Sequence, residues 1–280
     1  MSYKIPVGAA VETVVTWLLD HAGFLFAWLD DRIYALVVGV ETILSWLPFW
    51  LFLLLAVALA WKMAGRGLAL FTLLGFPLIY NLGLWTASLQ TLSLIVTAQL
   101  ITVVVGVPLG VFMAKNDIID QVMRPILDFM QTMPAFVYLI PAVMFFSLGR
   151  VPGVIATIIF ATPPMVRLTA LGIRQVPADL IEAGQAFGST SMQMLWKVQL
   201  PHAIPTILAG LNQSIMLALS MVVISAMIGA GGLGSAVLRG VQRVQVGVGF
   251  ESGLAVVILA IYIDRLTQSL GPELAKQGSR

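Results

Sequence analysis

No cysteine occurs among the 280 residues, and only 10% of the side chains are charged. Without thiols there is no disulfide framework, no thiolate metal site and no cysteine nucleophile. Histidine is almost as scarce. His21 and His202 are the only two, far apart in the chain, so neither a metal site nor a histidine relay is expected. No catalytic residue, metal or cofactor is expected on this chain. A soluble domain carries roughly 25% charged residues. That shortfall, with 59% hydrophobic residues and a mean hydropathy of +0.98, points to an all-α polytopic membrane protein with one membrane domain. The net charge of +2 is too small to suggest nucleic acid. The N-terminus lacks a basic start, a compact apolar run and a small-residue cleavage site, so no cleaved signal peptide is expected.

Two further absences concern energy. No Asp, Glu, Lys or Arg falls in the middle of a predicted span, whereas ion-coupled carriers keep ionisable groups there as relays. A secondary carrier is therefore disfavoured. No G-x-x-x-x-G-K-[ST] segment is present either, so any nucleotide chemistry belongs to another chain. Gly229-Ala-Gly231-Gly-Leu-Gly234 matches G-x-G-x-x-G by letter. It follows a membrane span rather than a strand, so a tight re-entrant turn or close helix approach is the expected role.

Hydropathy predicts about seven transmembrane helices, at about 46–64, 67–85, 89–113, 133–149, 152–172, 207–229 and 251–270. Trp46, Trp50, Trp61 and Trp85 fall near the ends of the first two, where an aromatic belt belongs. Residues 1–45 are interrupted by Glu12, Asp20, Asp30, Asp31, Arg32 and Glu41. They read either as an amphipathic segment at a membrane face or as a helix packed on the bundle. A polar connection is expected near 115–128, and a glycine-rich one near 230–250. Gln99, Asn212, Gln213 and Ser220 are candidates to line a translocation path; interhelical hydrogen bonding is the alternative for each.

The stretch from Val176 to Pro205 is a polar island between apolar segments. Asp179 is a candidate N-cap with Glu182 three residues on, and Gly188 a candidate C′ residue. Ser189, Thr190 and Ser191 offer caps for a second short helix, which Pro201 is expected to stop. With this loop inside, Lys62, Arg66, Lys115, Arg124, Arg167, Arg174, Lys197, Arg265, Lys276 and Arg280 share its side. Lys4, Arg32, Arg150, Arg239 and Arg243 lie opposite. The inside excess follows the positive-inside rule and predicts the N-terminus outside and the C-terminus cytoplasmic.

Glu182-Ala183-Gly184, then Gly188, then Val198-Gln199-Leu200-Pro201 resemble the EAA loop of ABC importer permeases. Gly184 stands where a third alanine is usual and Val198 where isoleucine is usual. Gln131-Thr-Met-Pro-Ala-Phe-Val-Tyr-Leu-Ile-Pro141, Leu208-Ala-Gly-Leu-Asn-Gln-Ser214 and Asp264-Arg265-Leu-Thr-Gln268 extend the resemblance to the glycine betaine/proline betaine permease family, over about 46–270. The resemblance implies a type I ABC importer permease core over 86–270, with its coupling loop at 176–205. Two additional transmembrane helices (46–85) and the N-terminal amphipathic or periplasmic segment (1–45) precede it, and a cytoplasmic tail (271–280) follows. It implies a multi-pass inner-membrane subunit, not itself an enzyme. Its implied partners are an ATP-binding ABC subunit, an external substrate-binding protein and a second permease copy forming a homodimer in the lipid bilayer. Glu182, Ala183, Gly184, Gly188, Leu200 and Pro201 are the implied ATPase contacts. The implied cargo is a quaternary ammonium osmoprotectant: glycine betaine, proline betaine, choline or carnitine. Another small amine or amino acid, or a non-ABC channel or carrier, is the alternative.

Overall fold

An apolar chain with no water to satisfy its backbone must close its own hydrogen bonds, which favours helix. The computed structural model describes residues 7–278, with side chains over 8–269; among them there are helices and no strand. The helices are α1 (Val7–Trp46), α2 (Phe49–Ala64), α3 (Arg66–Asn81), α4 (Trp85–Lys115), α5 (Asp117–Thr132) and α6 (Ala135–Phe146). There follow α7 (Arg150–Arg174), α8 (Ala178–Ala186), α9 (Ser191–Met194), a π-turn (Leu195–Gln199), α10 (Leu200–Ala226), α11 (Gly232–Gln242) and α12 (Val246–Gly278). The expected tail, 271–280, is thus helical to Gly278; residues 279–280 and 1–6 lie outside the described residues.

Four runs are long and apolar enough to cross a membrane: α4, α7, Ser191–Ala226 and α12. Two bent pairs, α1 with α2 at 98° and α5 with α6 at 101°, raise that to six. Hydropathy alone gives about seven. Helix length explains the difference. The 16 residues of α2 and of α3 rise only about 24 Å each, against a hydrocarbon thickness of about 30 Å. The run at 133–149 supplies only the 12 residues of α6. Pro134 sits at its N-cap, and Met133 before it is extended at ψ 135°, as a residue preceding proline should be; this makes the bend. The predicted polar connection is in fact helix α5. Asn116 caps it, its Oδ1 accepting from the N–H groups of Ile118 (2.9 Å) and Ile119 (3.3 Å).

The core is the packing of α4 and α10 on α7. At Gly110 a Cβ would meet the Val166 carbonyl oxygen at 2.7 Å. The two backbones are therefore in near contact, as small residues permit between membrane helices. A second cluster joins α2, α3 and α12 through Phe49, Leu53, Phe76, Ile79, Leu259 and Tyr262. The C-terminal half of α1 lies on the core. Ile33 and Val37 pack among Ala98, Val151 and Val154, Glu41 pairs with Arg150, and Phe26 stacks on Phe145 at 4.4 Å between ring centroids.

The glycine-rich connection is a turn followed by α11. Gly229 and Gly231 have φ of +86° and +87°, and a Cβ on Gly234 would lie 2.2 Å from the Val222 carbonyl oxygen. The letter match to a dinucleotide motif is thus a turn and a close approach. No side chain of α11's own segment caps its start. The N–H groups of Gly232 and Leu233 instead donate to Gln90 Oε1 (3.3 Å) and Thr91 Oγ1 (2.9 Å) on α4.

Candidate coupling loop and pathway residues

The segment after α7 leaves the bundle as α8, turns back through α9 and re-enters as α10. Pro177, not Asp179, is the N-cap of α8: its φ of −53° and ψ of 136° set the entry, with no side-chain cap bond. Extended proline already fixes the chain direction there. Asp179 falls one step inside, in the first turn, where its carboxylate meets the helix's positive end. The C-terminus closes as expected. Gly188 has φ +73°, its N–H donates to the Gln185 carbonyl (2.8 Å), and the Ser189 N–H donates to that of Gly184 (3.0 Å). This crossed pair is a Schellman closure, which needs a left-handed residue at Gly188. Thr190 then starts α9 with a reciprocal box. Gln193 N–H donates to Thr190 Oγ1 (3.3 Å), and Thr190 N–H donates to Gln193 Oε1 (2.9 Å).

Pro201 does not stop the second helix. The run from Ser191 to Ala226 is continuous. A proline ring collides with the carbonyl four residues back. The Leu195–Gln199 π-turn lies directly before it, with the Leu200 N–H reaching back five residues to the Leu195 carbonyl. The wider turn makes room for the ring. The loop is therefore rigidly continuous with membrane helix α10.

Of the predicted contact residues, Glu182, Ala183 and Gly188 are exposed, while Gly184, Leu200 and Pro201 are half-buried. Leu200 packs inward with Ile173, Leu195 and Ala203, so it anchors the loop. Gly184 is a close approach: a Cβ there would lie 2.4 Å from Met194 Cε. Two apolar residues stand out on the exposed surface, Phe187 at 91% exposure and Trp196 at 64%; the sequence marks Trp196, with Met192, as a candidate apolar docking face, but not Phe187. The available signal for Phe187 was a lone aromatic at a helix end between polar residues. Trp196 Nε1 donates to Met192 Sδ at 3.1 Å, which fixes this face.

An ionic network under the loop was also missed. Arg174, at the end of α7, donates to Asp120 Oδ2 (2.9 Å), the Met113 carbonyl (2.8 Å) and Asp117 Oδ1 (3.3 Å). Arg124 donates to Asp120 Oδ1 at 3.0 Å, and Arg167 to Asp128 Oδ1 at 2.5 Å. Asp120, Arg124, Asp128, Arg167 and Arg174 line a cleft of about 370 Å³ between α5 and α7. The hydrogen bond from Arg124 holds the Asp120 carboxyl below its ordinary range; burial opposes this, and Arg174 adds to the lowering. Arg124 and Asp120 are four residues apart, but Arg174 lies 54 and 57 residues from Asp120 and Asp117 and Arg167 lies 39 from Asp128, which hid the network as a whole.

The pathway candidates divide. Gln99 is buried, and its Oε1 accepts from Ser214 Oγ at 3.0 Å, joining α4 to α10. Asn212 Oδ1 accepts from Thr267 Oγ1 at 2.8 Å, joining α10 to α12. Gln213 and Ser220 are exposed. With Ala209, Met216 and Met227 they form one helical stripe along α10, also exposed.

The chain matches the family described as "Binding-protein-dependent transport system inner membrane component" over residues 106–276. It is 52% identical to the glycine betaine transport system permease protein OpuAB of Bacillus subtilis (strain 168), across 99% of this chain and 98% of that one. It is 52% identical to the glycine betaine/carnitine transport permease protein GbuB of Listeria monocytogenes, across 95% of both. Its fold is similar to that of a chain in inward-facing crystals of the MetNI methionine ABC transporter. The TM-score is 0.60 at 23% identity, over 70% of this chain and 96% of that one.

Proposed function

From the premise that this chain belongs to the binding-protein-dependent transport system inner membrane component family, we propose that it is the membrane-spanning subunit of an ABC importer for glycine betaine and related quaternary ammonium compounds. The substrate class rests on the relatives, OpuAB and GbuB, each 52% identical and each bearing glycine betaine in its name. The observation that carries the mechanism is the α8–α9 loop, which runs without a break into α10. A partner that grips the exposed Glu182, Ala183, Phe187 and Trp196 and changes shape on binding ATP would swing α10 with it. Differential contact with the two ATPase states is the thermodynamic requirement for such a device.

In this reading the loop faces the cytoplasm, with Lys62, Arg66, Lys115, Arg124, Arg167, Arg174, Lys197 and Arg265, and the N-terminus lies outside. Single cysteines at Ser2 and Ser279, both outside the described residues, test this with an impermeant thiol reagent on intact cells. Reaction at the first alone is expected, and the reverse pattern overturns the topology. The exposed α10 stripe is where a second copy and the translocation path meet. A quaternary ammonium group has no N–H to donate, so polar and thioether surface suffices for its passage. Gln213 and Ser220 are the residues assigned to that path, and Gln99 and Asn212 brace α10 behind it.

The test is uptake in proteoliposomes holding this chain, its ATPase and its binding protein. Labelled glycine betaine is expected to accumulate with ATP on the ATPase side and an ionophore present. Accumulation that collapses with the ion gradient while ATP remains would establish a secondary carrier instead.

A further inference from the structure

A second cavity, of about 390 Å³, lies behind the loop rather than on its outer face. It is bounded by the last residues of two membrane helices, Lys115 of α4 and Arg174 of α7, and roofed by Gln185, Ser189 and Ser191. Ile173, Ile181 and Met194 give it an apolar wall. Its size falls at the lower end of small-molecule sites, about 300–1,000 Å³. No carboxylate lines it. Arg174 spends its two terminal nitrogens on Asp120, Asp117 and the Met113 carbonyl. Lys115 makes one long bond, 3.4 Å to the Ser191 carbonyl, and pairs with no carboxylate among the described residues. The cavity is therefore lined by one unneutralised lysine and one serine at its exposed edge, a half-buried serine and an apolar wall.

We propose that this cavity is a binding site for a small soluble organic oxyanion. Its phosphate or carboxylate end sits on Lys115 with Ser189 and Ser191, and its apolar end sits against Ile181 and Met194. A soluble source is favoured because Lys115 and Arg174 end their helices and the rest of the roof belongs to the protruding loop, beyond the apolar spans. On α8 the lining residues Ile181 and Gln185 are four apart and share one face, whereas Glu182, Ala183 and Phe187 lie on the remaining, exposed surface. The ligand and a partner protein can thus hold α8 together. An occupied cavity ties the ends of α4 and α7 to the loop, so the ligand stiffens the element that the proposed function uses as its lever. The site's existence does not depend on that function, only its consequence does.

The experiment uses the complete complex in nanodiscs of phosphatidylcholine, at fixed ionic strength set with chloride. Inorganic phosphate tests the charge subsite, and phenyl phosphate the charge and the apolar wall together. Hydrogen exchange of the 185–194 amides is expected to slow with either probe, at lower concentration for phenyl phosphate. Lys115→Gln is expected to weaken both effects roughly tenfold, the loss of a hydrogen bond to a charged group. Lys197→Gln, on the same loop but off the cavity, is expected to leave them unchanged. Anion binding to the ATPase persists in Lys115→Gln and is subtracted by it. Protection that is equal in wild type and Lys115→Gln, or absent with both probes, overturns the proposal. So does protection that needs phosphatidylglycerol in the disc and ignores soluble phosphate, which would mark a lipid site. None of these outcomes depends on betaine uptake, so failure of the transport reading is separately visible.

Discussion

Two helix ends in this protein close with the same three hydrogen bonds and different residues. At the end of α8 the N–H groups of Phe187, Gly188 and Ser189 reach Ala183, Gln185 and Gly184. At the end of α11 those of Arg243, Val244 and Gln245 reach Arg239, Val241 and Gly240 in the same register. Gly188 has φ +73° and Val244 φ +54°. Glycine adopts that backbone freely, whereas a β-branched residue carries about 1–2 kcal/mol of strain there. The geometry is therefore set by the carbonyls that need partners, and residue type decides only whether strain is stored. The two turns also differ in support. The α8 turn follows α7, whose end is tied by Arg174 to Asp117 and Asp120. The α11 turn ends a helix whose beginning is held by Gln90 and Thr91.

The largest test of this contrast is Gly188→Leu. A side chain at the left-handed position stores strain of about 1–2 kcal/mol in the turn that joins α8 to α9, which weakens that turn as a lever. In the reconstituted complex, transport per ATP is expected to fall roughly tenfold while membrane insertion and ATPase activity remain. Normal uptake by that variant would refute the loop's assigned role. Next comes Arg174→Gln, which removes the bonds that secure the end of α7. The half-exposed setting discounts the loss to about 1–2 kcal/mol. A thermal midpoint several degrees lower in detergent is expected, and no change would make the network incidental. Val244→Gly reverses the contrast. Relief of strain is expected to stabilise by about 1 kcal/mol; a lower midpoint would mean the valine side chain makes contacts that outweigh its backbone.

The smallest expected effect is one of pH. Asp120 has a lowered pKa, so its contribution is complete above the ordinary carboxylate range and is lost as pH falls through its folded value. The difference in midpoint between wild type and Asp120→Asn is therefore expected to stay constant from about pH 8 to pH 6 and to shrink only below about pH 4. A difference that does not shrink in acid would show that the lowering is absent, and one that shrinks near neutrality would show a raised value instead.

What the sequence could disclose followed from how each element is stabilised. Helices α4, α7 and α12 were legible because each contains a long, strongly apolar window. Helix α5 was hidden: its exposed Ile118, Val122, Ile126 and Phe129 are spaced at helical intervals among charges, which lowers any window average. Helix α11 was hidden by its glycines, whose caps come from α4. The Gly188 turn and the Thr190 cap were readable because both are local. Pro201 misled because the π-turn that accommodates it lies in the preceding residues and leaves no compositional mark. The Glu182–Pro201 motif located the loop, but only the packing separates the inward Leu200 from the outward Phe187.

The borrowed caps of α11 also bear on the order of assembly. Gln90 and Thr91 leave the ribosome 142 residues before the amides they will hold. Until Gly232 and Leu233 arrive, Gln90 has no α11 partner, and the Thr91 hydroxyl has only its own helix, bonded to the Ala87 carbonyl. A nascent chain halted before Gly231 thus carries an unfilled seat on α4, and the last two helices complete a site that the first half prepared. The contact can close only when the later segment arrives, so the bundle is sealed by its C-terminal helices.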